Sequence, residues 1–236
     1  MTNRIVLIRH EAEPVEDRVS AYLAAQSYDI RYYRPFRGEA LPMDENISGC
    51  VIFGGLYNVY DTSDHPFLLR EYAFIQKCLD EDVPMLGICQ GAQMIAWHLG
   101  AAVGPTADGL HEFGYYELQP TTEAGDFLPG PMHVLQSHWH GFDVPAGAIK
   151  LASSEGFPNQ AFRIGDKVYG FQFHAEVPES HFRRMQDNGQ SRYGLPGVQT
   201  RAEQDRLRAL HDAVQAAWFE KFLRTLFPGR SAAAAD

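Results

Sequence analysis

The sequence predicts an α/β fold: a mainly parallel central sheet flanked by helices, with an added antiparallel portion. Three observations carry this expectation. In the first half of the chain, short apolar runs at 5–8, 50–53 and 83–86 alternate with helix-like stretches, and such a rhythm folds as a parallel sheet covered on both faces. Later runs at 115–119, 132–136, 149–153, 161–164 and 168–173 follow one another, separated by turns such as Gly165-Asp166, which suits antiparallel pairing. Between these halves, Cys89 sits in Gly87-Ile88-Cys89-Gln90-Gly91, where an apolar run gives way to a helical stretch.

Ile5-Val6-Leu7-Ile8 reads as a first buried strand, 20–26 as a short helix and 28–33 as a second strand. Cys50-Val51-Ile52-Phe53 is a third, ending in Gly54-Gly55. Pro66 lies near the start of a helix reaching about Asp80, a place where proline's missing N–H costs nothing. Val83-Pro84-Met85-Leu86 leads to the Cys89 turn, and a helix covers 92–99. The glycines of that turn suggest close backbone approach or dihedrals that a Cβ would obstruct.

Residues 186–197, rich in Gly, Asn and Ser, read as a loop. Thr200-Arg201-Ala202-Glu203 has the form of a capping box. Leu207, Leu210, Val214, Trp218, Phe222 and Leu226 then recur at three- and four-residue steps, the mark of a long amphipathic helix. Pro228-Gly229 ends it, and 231–236 is expected to be a disordered tail. The whole of 1–236 is read as one domain, with a core at about 4–180 and a C-terminal loop and helix at 181–230.

Composition bounds the function. The 236 residues can bury a sizeable core, and a net charge of −10 argues against a nucleic-acid backbone as partner. No run approaches the roughly 18 apolar residues of a membrane span, and Met1-Thr2-Asn3-Arg4 enters a strand rather than a signal peptide. Three cysteines are too few for a disulfide scaffold and point to a reducing cytoplasm. Cys50 and Cys78 fall at core positions of a strand and a helix.

Cys89 is different. A thiol at a strand-to-helix turn faces the positive end of the helix, which favours the thiolate. An imidazole nearby could take its proton and later protonate a leaving amine. His174-Ala175-Glu176 directly follows the aromatic-rich run Val168–Phe173. In an extended segment His174 and Glu176 leave on the same side, as a base and its orienting carboxylate require.

Gly87-Ile88-Cys89-Gln90-Gly91-Ala92-Gln93, taken with Gly170-Phe171-Gln172-Phe173-His174-Ala175-Glu176, resembles the class I, triad-type glutamine amidotransferases, and most of all their stand-alone GMP synthase-like members. The likeness spans about 4–180 and implies that family's flavodoxin-like sheet. It implies that Cys89 attacks the glutamine side-chain amide, releasing ammonia and leaving a γ-glutamyl thioester, with His174 as base and acid and Glu176 orienting it. By the same likeness the N–H groups of Gly55 and Gln90 form an oxyanion hole, with Leu56 where the family usually has proline. Gln93 matches a residue contacting the amino-acid end of the substrate. Ser137-His138-Trp139-His140-Gly141-Phe142 matches a loop whose backbone grips it, which makes Trp139, Gly141 and Phe142 candidates.

His138 and His140 could share a face as a metal pair, but no cluster elsewhere completes such a site, so neither metal nor cofactor is expected. Nothing after residue 180 offers a Gly-rich phosphate loop or a synthetase module. The acceptor is therefore expected to be a small molecule or a separate synthetase subunit. Two alternatives stay open: a γ-glutamyl peptidase using the same thioester, and a non-catalytic regulatory protein that keeps the fold.

Overall fold

The computed structural model describes residues 3–11 and 16–229. In chain order these form β1 (Arg4–Ile8), α1 (Arg18–Ala25), β2 (Asp29–Tyr33), β3 (Gly49–Ile52), α2 (Phe67–Asp80), β4 (Met85–Ile88), α3 (Gln90–His98) and β5 (Val103–Pro105). There follow β6 (Glu112–Pro120), β7 (Met132–His138), β8 (His140–Phe142), β9 (Ile149–Ser153), β10 (Ala161–Ile164), β11 (Val168–Phe171), α4 (Glu179–Asn188) and α5 (Arg201–Leu226).

Nine strands make one sheet in the order β2-β1-β3-β4-β11-β10-β9-β6-β7. The half from β2 to β11 is parallel, with Cys50 opposite Met85 and Ile88 opposite Phe171. The half beyond β11 is antiparallel. The predicted architecture is the observed one. A separate two-stranded ribbon pairs β5 with β8, and neither strand is anticipated from the sequence, being only three residues long.

Successive residues of the parallel strands alternate between two apolar layers, as the period-2 pleat dictates. Ile5, Leu7, Val51 and Phe171 face Leu23 of α1 and Trp218 and Phe219 of α5. Val6, Ile8, Cys50 and Met85 face Leu68, Ile75 and Cys78 of α2 and Ile95 of α3. Each large side chain buried this way contributes roughly 1.5–3 kcal/mol relative to exposure. Asp17 caps α1 by accepting the Ser20 N–H, and Thr200 caps α5 by accepting that of Glu203.

Two expectations are corrected. Residues 186–188 belong to α4, followed by a short 3₁₀ turn at Gln190–Arg192. The local Gly, Asn and Ser content hid a helix whose Phe182 packs on Phe113 and Tyr115. On α5, Leu210 and Val214 are 58% and 55% exposed, whereas Gln204 and Gln215 are fully buried. Gln215 Oε1 accepts the Leu135 N–H at 2.6 Å and Gln204 Nε2 donates to Phe113 O at 2.9 Å. Backbone groups of β6 and β7 therefore select polar residues for the buried face, and an apolar periodicity cannot register them. The tail expected at 231–236 lies outside the described residues.

Candidate active site

The carboxyl ends of β1, β3, β4 and β11 converge, as the ends of parallel strands do in ligand-binding α/β sheets. Cys89 stands between β4 and α3 at φ 51°, ψ −108°, a conformation costing on the order of 1–3 kcal/mol for a residue with a Cβ. The strain thus falls on the cysteine itself. Its glycine neighbours serve close packing: a Cβ on Gly91 would lie 2.0 Å from Ile52 O, and one on Gly87 would lie 2.6 Å from the Gly91 carbonyl. The Cys89 N–H donates to Phe171 O at 2.7 Å, binding the turn to β11. Helix α3 directs its first-turn N–H groups, which have no intrahelical acceptor, toward this turn.

His174 and Glu176 lie in a turn after β11 rather than in an extended segment, and their side chains still meet, with Nδ1 2.8 Å from Oε1. Both are buried. A Cβ on Gly54 would lie 3.0 Å from His174 Cε1, 3.4 Å from Cys89 Cβ and 3.9 Å from Cys89 Sγ. Gly54 is therefore the point at which the thiol and the imidazole come together. Burial pulls the His174 pKa down, but the charges of Glu176 and Cys89 outweigh it and hold it well above the usual imidazole value. With Nδ1 engaged by Glu176, Nε2 is the nitrogen left to face the sulfur.

Gly55 follows Gly54 in the loop after β3. The space at its Cβ position is filled, since a Cβ there would meet Gln90 Oε1 at 2.5 Å and His10 Cβ at 2.6 Å. Gln90 Oε1 accepts the Tyr57 N–H at 2.9 Å, and Leu56 between them is 84% exposed. Gln93 is buried in α3 and donates from Nε2 to Gln172 Oε1 at 3.0 Å and to His140 O at 3.2 Å.

These groups line a cavity of about 770 Å³ that includes Gly54, Gly55, Cys89, Gln93, His174 and Glu176. Ser137, His138, Trp139 and His140 form another part of its wall. Gly141 and Phe142 do not line it: they sit opposite Gly104 and Val103 in the β5–β8 ribbon, with the Phe142 ring buried against Phe162. His138 is held from both sides, by Glu112 Oε2 at 3.0 Å and by His140 O at 3.0 Å. Among the described residues, no three His, Cys, Asp or Glu side chains form a group that could hold a metal ion.

Sequence reasoning missed several contributors. His10 and Glu11 lie just beyond β1, after Arg9, and the rule that placed Gly55 and His174 at strand ends would have flagged them. Helix α4 supplies His181, Arg184 and Met185 to the cavity wall, and nothing in its local sequence announces that. Arg192, just beyond it, fastens this wall by donating to Ser137 Oγ at 2.8 Å. Burial pushes the Glu11 carboxyl pKa up, against the opposing charge of Arg9.

Residues 17–188 match the family pattern described as glutamine amidotransferase class-I. This chain belongs to the class I glutamine amidotransferases. It is 33% identical over 184 residues to the glutamine amidotransferase-like protein YfeJ of Salmonella typhimurium, covering 73% of this chain and 75% of that one. It is 34% identical over 168 residues to the glutamine-hydrolyzing GMP synthase of Corynebacterium jeikeium, covering 67% of this chain but 30% of that protein. Among solved structures, a glutamine amidotransferase of Thermotoga maritima superimposes with a TM-score of 0.83 at 26% identity, covering 97% of this chain and 99% of its own. A glutamine amidotransferase of Methylobacillus flagellatus shares the fold, with a TM-score of 0.87 at 24% identity and coverage of 97% and 96%. Membership in this family supports glutamine amide hydrolysis. Among the described residues, no helix is long and apolar enough to cross a membrane.

Proposed function

We propose that this amidotransferase hydrolyses the side-chain amide of glutamine through Cys89, His174 and Glu176. The observation carrying this reading is the meeting of Cys89 and His174 around Gly54, with Glu176 Oε1 2.8 Å behind the imidazole. The Cys89 sulfur gives its proton to His174 and bonds to the amide carbon. The carbonyl oxygen becomes an oxyanion facing the N–H groups of Gly55 and Gln90, and one such donor is worth about 3 kcal/mol in the transition state. The C–N bond then breaks, and His174 returns the proton to the departing ammonia. Water, deprotonated by His174, hydrolyses the γ-glutamyl thioester, yielding glutamate and the free thiol. Glu176 fixes the imidazole tautomer and stabilises its charged form throughout.

Gln93, Trp139, Gly141 and Phe142 divide by placement. Gln93 and Trp139 border the cavity and bind the amino-acid end of the substrate. Gly141 and Phe142 act one step back, by supporting the 137–140 segment. The ammonia passes to a small molecule or to a synthetase subunit on a separate polypeptide.

A second reading, cleavage of γ-glutamyl amides of larger amines, is favoured by the cavity of about 770 Å³, a size that suits ligands larger than one amino acid. Purified protein assayed for glutamate release from glutamine and from γ-glutamyl amides separates the two. Mass spectrometry after treatment with a glutamine-mimicking chloroketone should place the adduct on Cys89. An adduct elsewhere, with turnover intact in Cys89→Ala, rules out both.

A further inference from the structure

We propose that His10 is a positioning residue: clamped by Glu71 of α2, it sets the peptide between Gly54 and Gly55 so that the Gly55 N–H points into the cavity. The inference rests on the reading above, in which that N–H meets the oxyanion.

His10 lies two residues past the end of β1, and its Nδ1 is 3.1 Å from Phe53 O and 3.3 Å from Gly54 O. Carbonyl oxygens only accept, so Nδ1 carries a proton and donates to both. On the far side, Nε2 faces Glu71 Oε2 at 3.0 Å, and neither side chain is exposed. Burial pulls the His10 pKa down, but the charge of Glu71 and its hydrogen bond outweigh this, so the ring is held above the usual imidazole value. The clamp is therefore an imidazolium donating in two directions.

Peptide geometry converts this into an effect on the site. Gly54 C=O and Gly55 N–H belong to one planar trans peptide, so they point in opposite directions. Fixing the carbonyl on His10 turns the N–H away from His10. His10 and Gln90 also crowd Gly55 itself, since a Cβ placed there would lie 2.6 Å from His10 Cβ and 2.5 Å from Gln90 Oε1. Helix α2 braces the same loop a second time through Phe67, whose ring meets that of Tyr57 at 4.9 Å. A buried ion pair is a poor way to gain stability. It is a good way to hold one carbonyl in one place.

The test uses Glu71→Gln as a background, so that no charge is left buried alone, and compares His10, His10→Leu and His10→Asn within it. Asn can present an N–H near the position of Nδ1, whereas Leu cannot. Relative to the His10 background, the Leu variant should lose roughly 10- to 100-fold in kcat with glutamine, less than the 10²–10³ that follows deletion of a donor. Its KM should stay within about threefold, and Asn should recover most of the loss, as lost orientation rather than lost binding requires.

Affinity for glutamate γ-semialdehyde, whose thiol adduct carries an oxyanion, should fall with kcat. Alkylation of Cys89 by iodoacetamide, which forms no oxyanion, should be unchanged. A Leu variant with the kcat and aldehyde affinity of its background overturns the proposal, as does one whose alkylation rate falls in step with kcat. The Gly55 amide resonance, read by NMR on glycine-labelled protein, tests the clamp without turnover. It should shift in the Leu variant and return toward its place in the Asn variant, and a stationary signal also overturns the proposal. A wild-type protein inactive on glutamine and blind to the aldehyde instead sinks the functional reading, with the resonance still deciding the clamp.

Discussion

Gln90 Oε1 accepts the backbone N–H of Tyr57 at 2.9 Å, tying the loop after β3 to the first turn of α3. Both proposed oxyanion donors, Gly55 and Gln90, are thereby joined by one side chain. Gln90→Leu removes the acceptor and leaves an N–H unpaired, at a cost of about 1–3 kcal/mol. Urea denaturation should show that loss. Glutamate release should show a fall in kcat of roughly tenfold, on the scale of a misplaced rather than deleted donor.

Cys89 bears both the proposed nucleophile and the backbone strain. Cys89→Ala should abolish turnover with the fold retained. Cys89→Gly should also be inactive, yet more stable than Cys89→Ala by roughly 1 kcal/mol, because glycine occupies positive φ without penalty. Urea midpoints of the two variants decide this, and a less stable glycine variant removes the strain argument.

The raised pKa of His174 links stability to pH. Its folded value lies above the unfolded one of about 6.5, so the folded state binds this proton more tightly. The resulting stability is fully present below about pH 6.5 and is lost as pH rises through the higher folded pKa. Glu176→Gln removes the largest influence that raises it. The urea-midpoint difference between wild type and this variant should therefore be largest on the acid side of about pH 6.5, and should shrink at alkaline pH. A difference independent of pH would falsify this linkage.

His174→Ala should lower kcat by roughly two to four orders of magnitude, the usual worth of a positioned acid–base group. Glu176→Gln should cost less, because only orientation and charge support are lost. Steady-state kinetics on glutamine provide the check, and near-normal turnover in His174→Ala assigns the base elsewhere.

Gly91→Ala should be among the most disruptive small changes in the protein. Its Cβ would lie 2.0 Å from Ile52 O, a backbone atom of β3 that cannot rotate away. Overpacking of this kind costs about 3 kcal/mol or more, so little folded protein is expected in circular dichroism and urea melts.

The sequence by itself determined the local devices of this protein: the buried strands, the turn that presents Cys89, the His174-Ala175-Glu176 end, the cap at Thr200 and the helix start near Pro66. These are legible because steric and periodic constraints act over a few residues, and sheet topology carries strand ends such as Gly54-Gly55 to one edge. Only the tertiary structure decided the partners. His10 and Glu71 are 61 residues apart, Gln90 and Tyr57 are 33 apart, and Leu135 and Gln215 are 80 apart. Each pair is one long-range polar contact, and neither residue alters the local pattern around it. The same limit hid α4 from view, because its place against the cavity depends on the surface that β6 and β7 present rather than on its own composition.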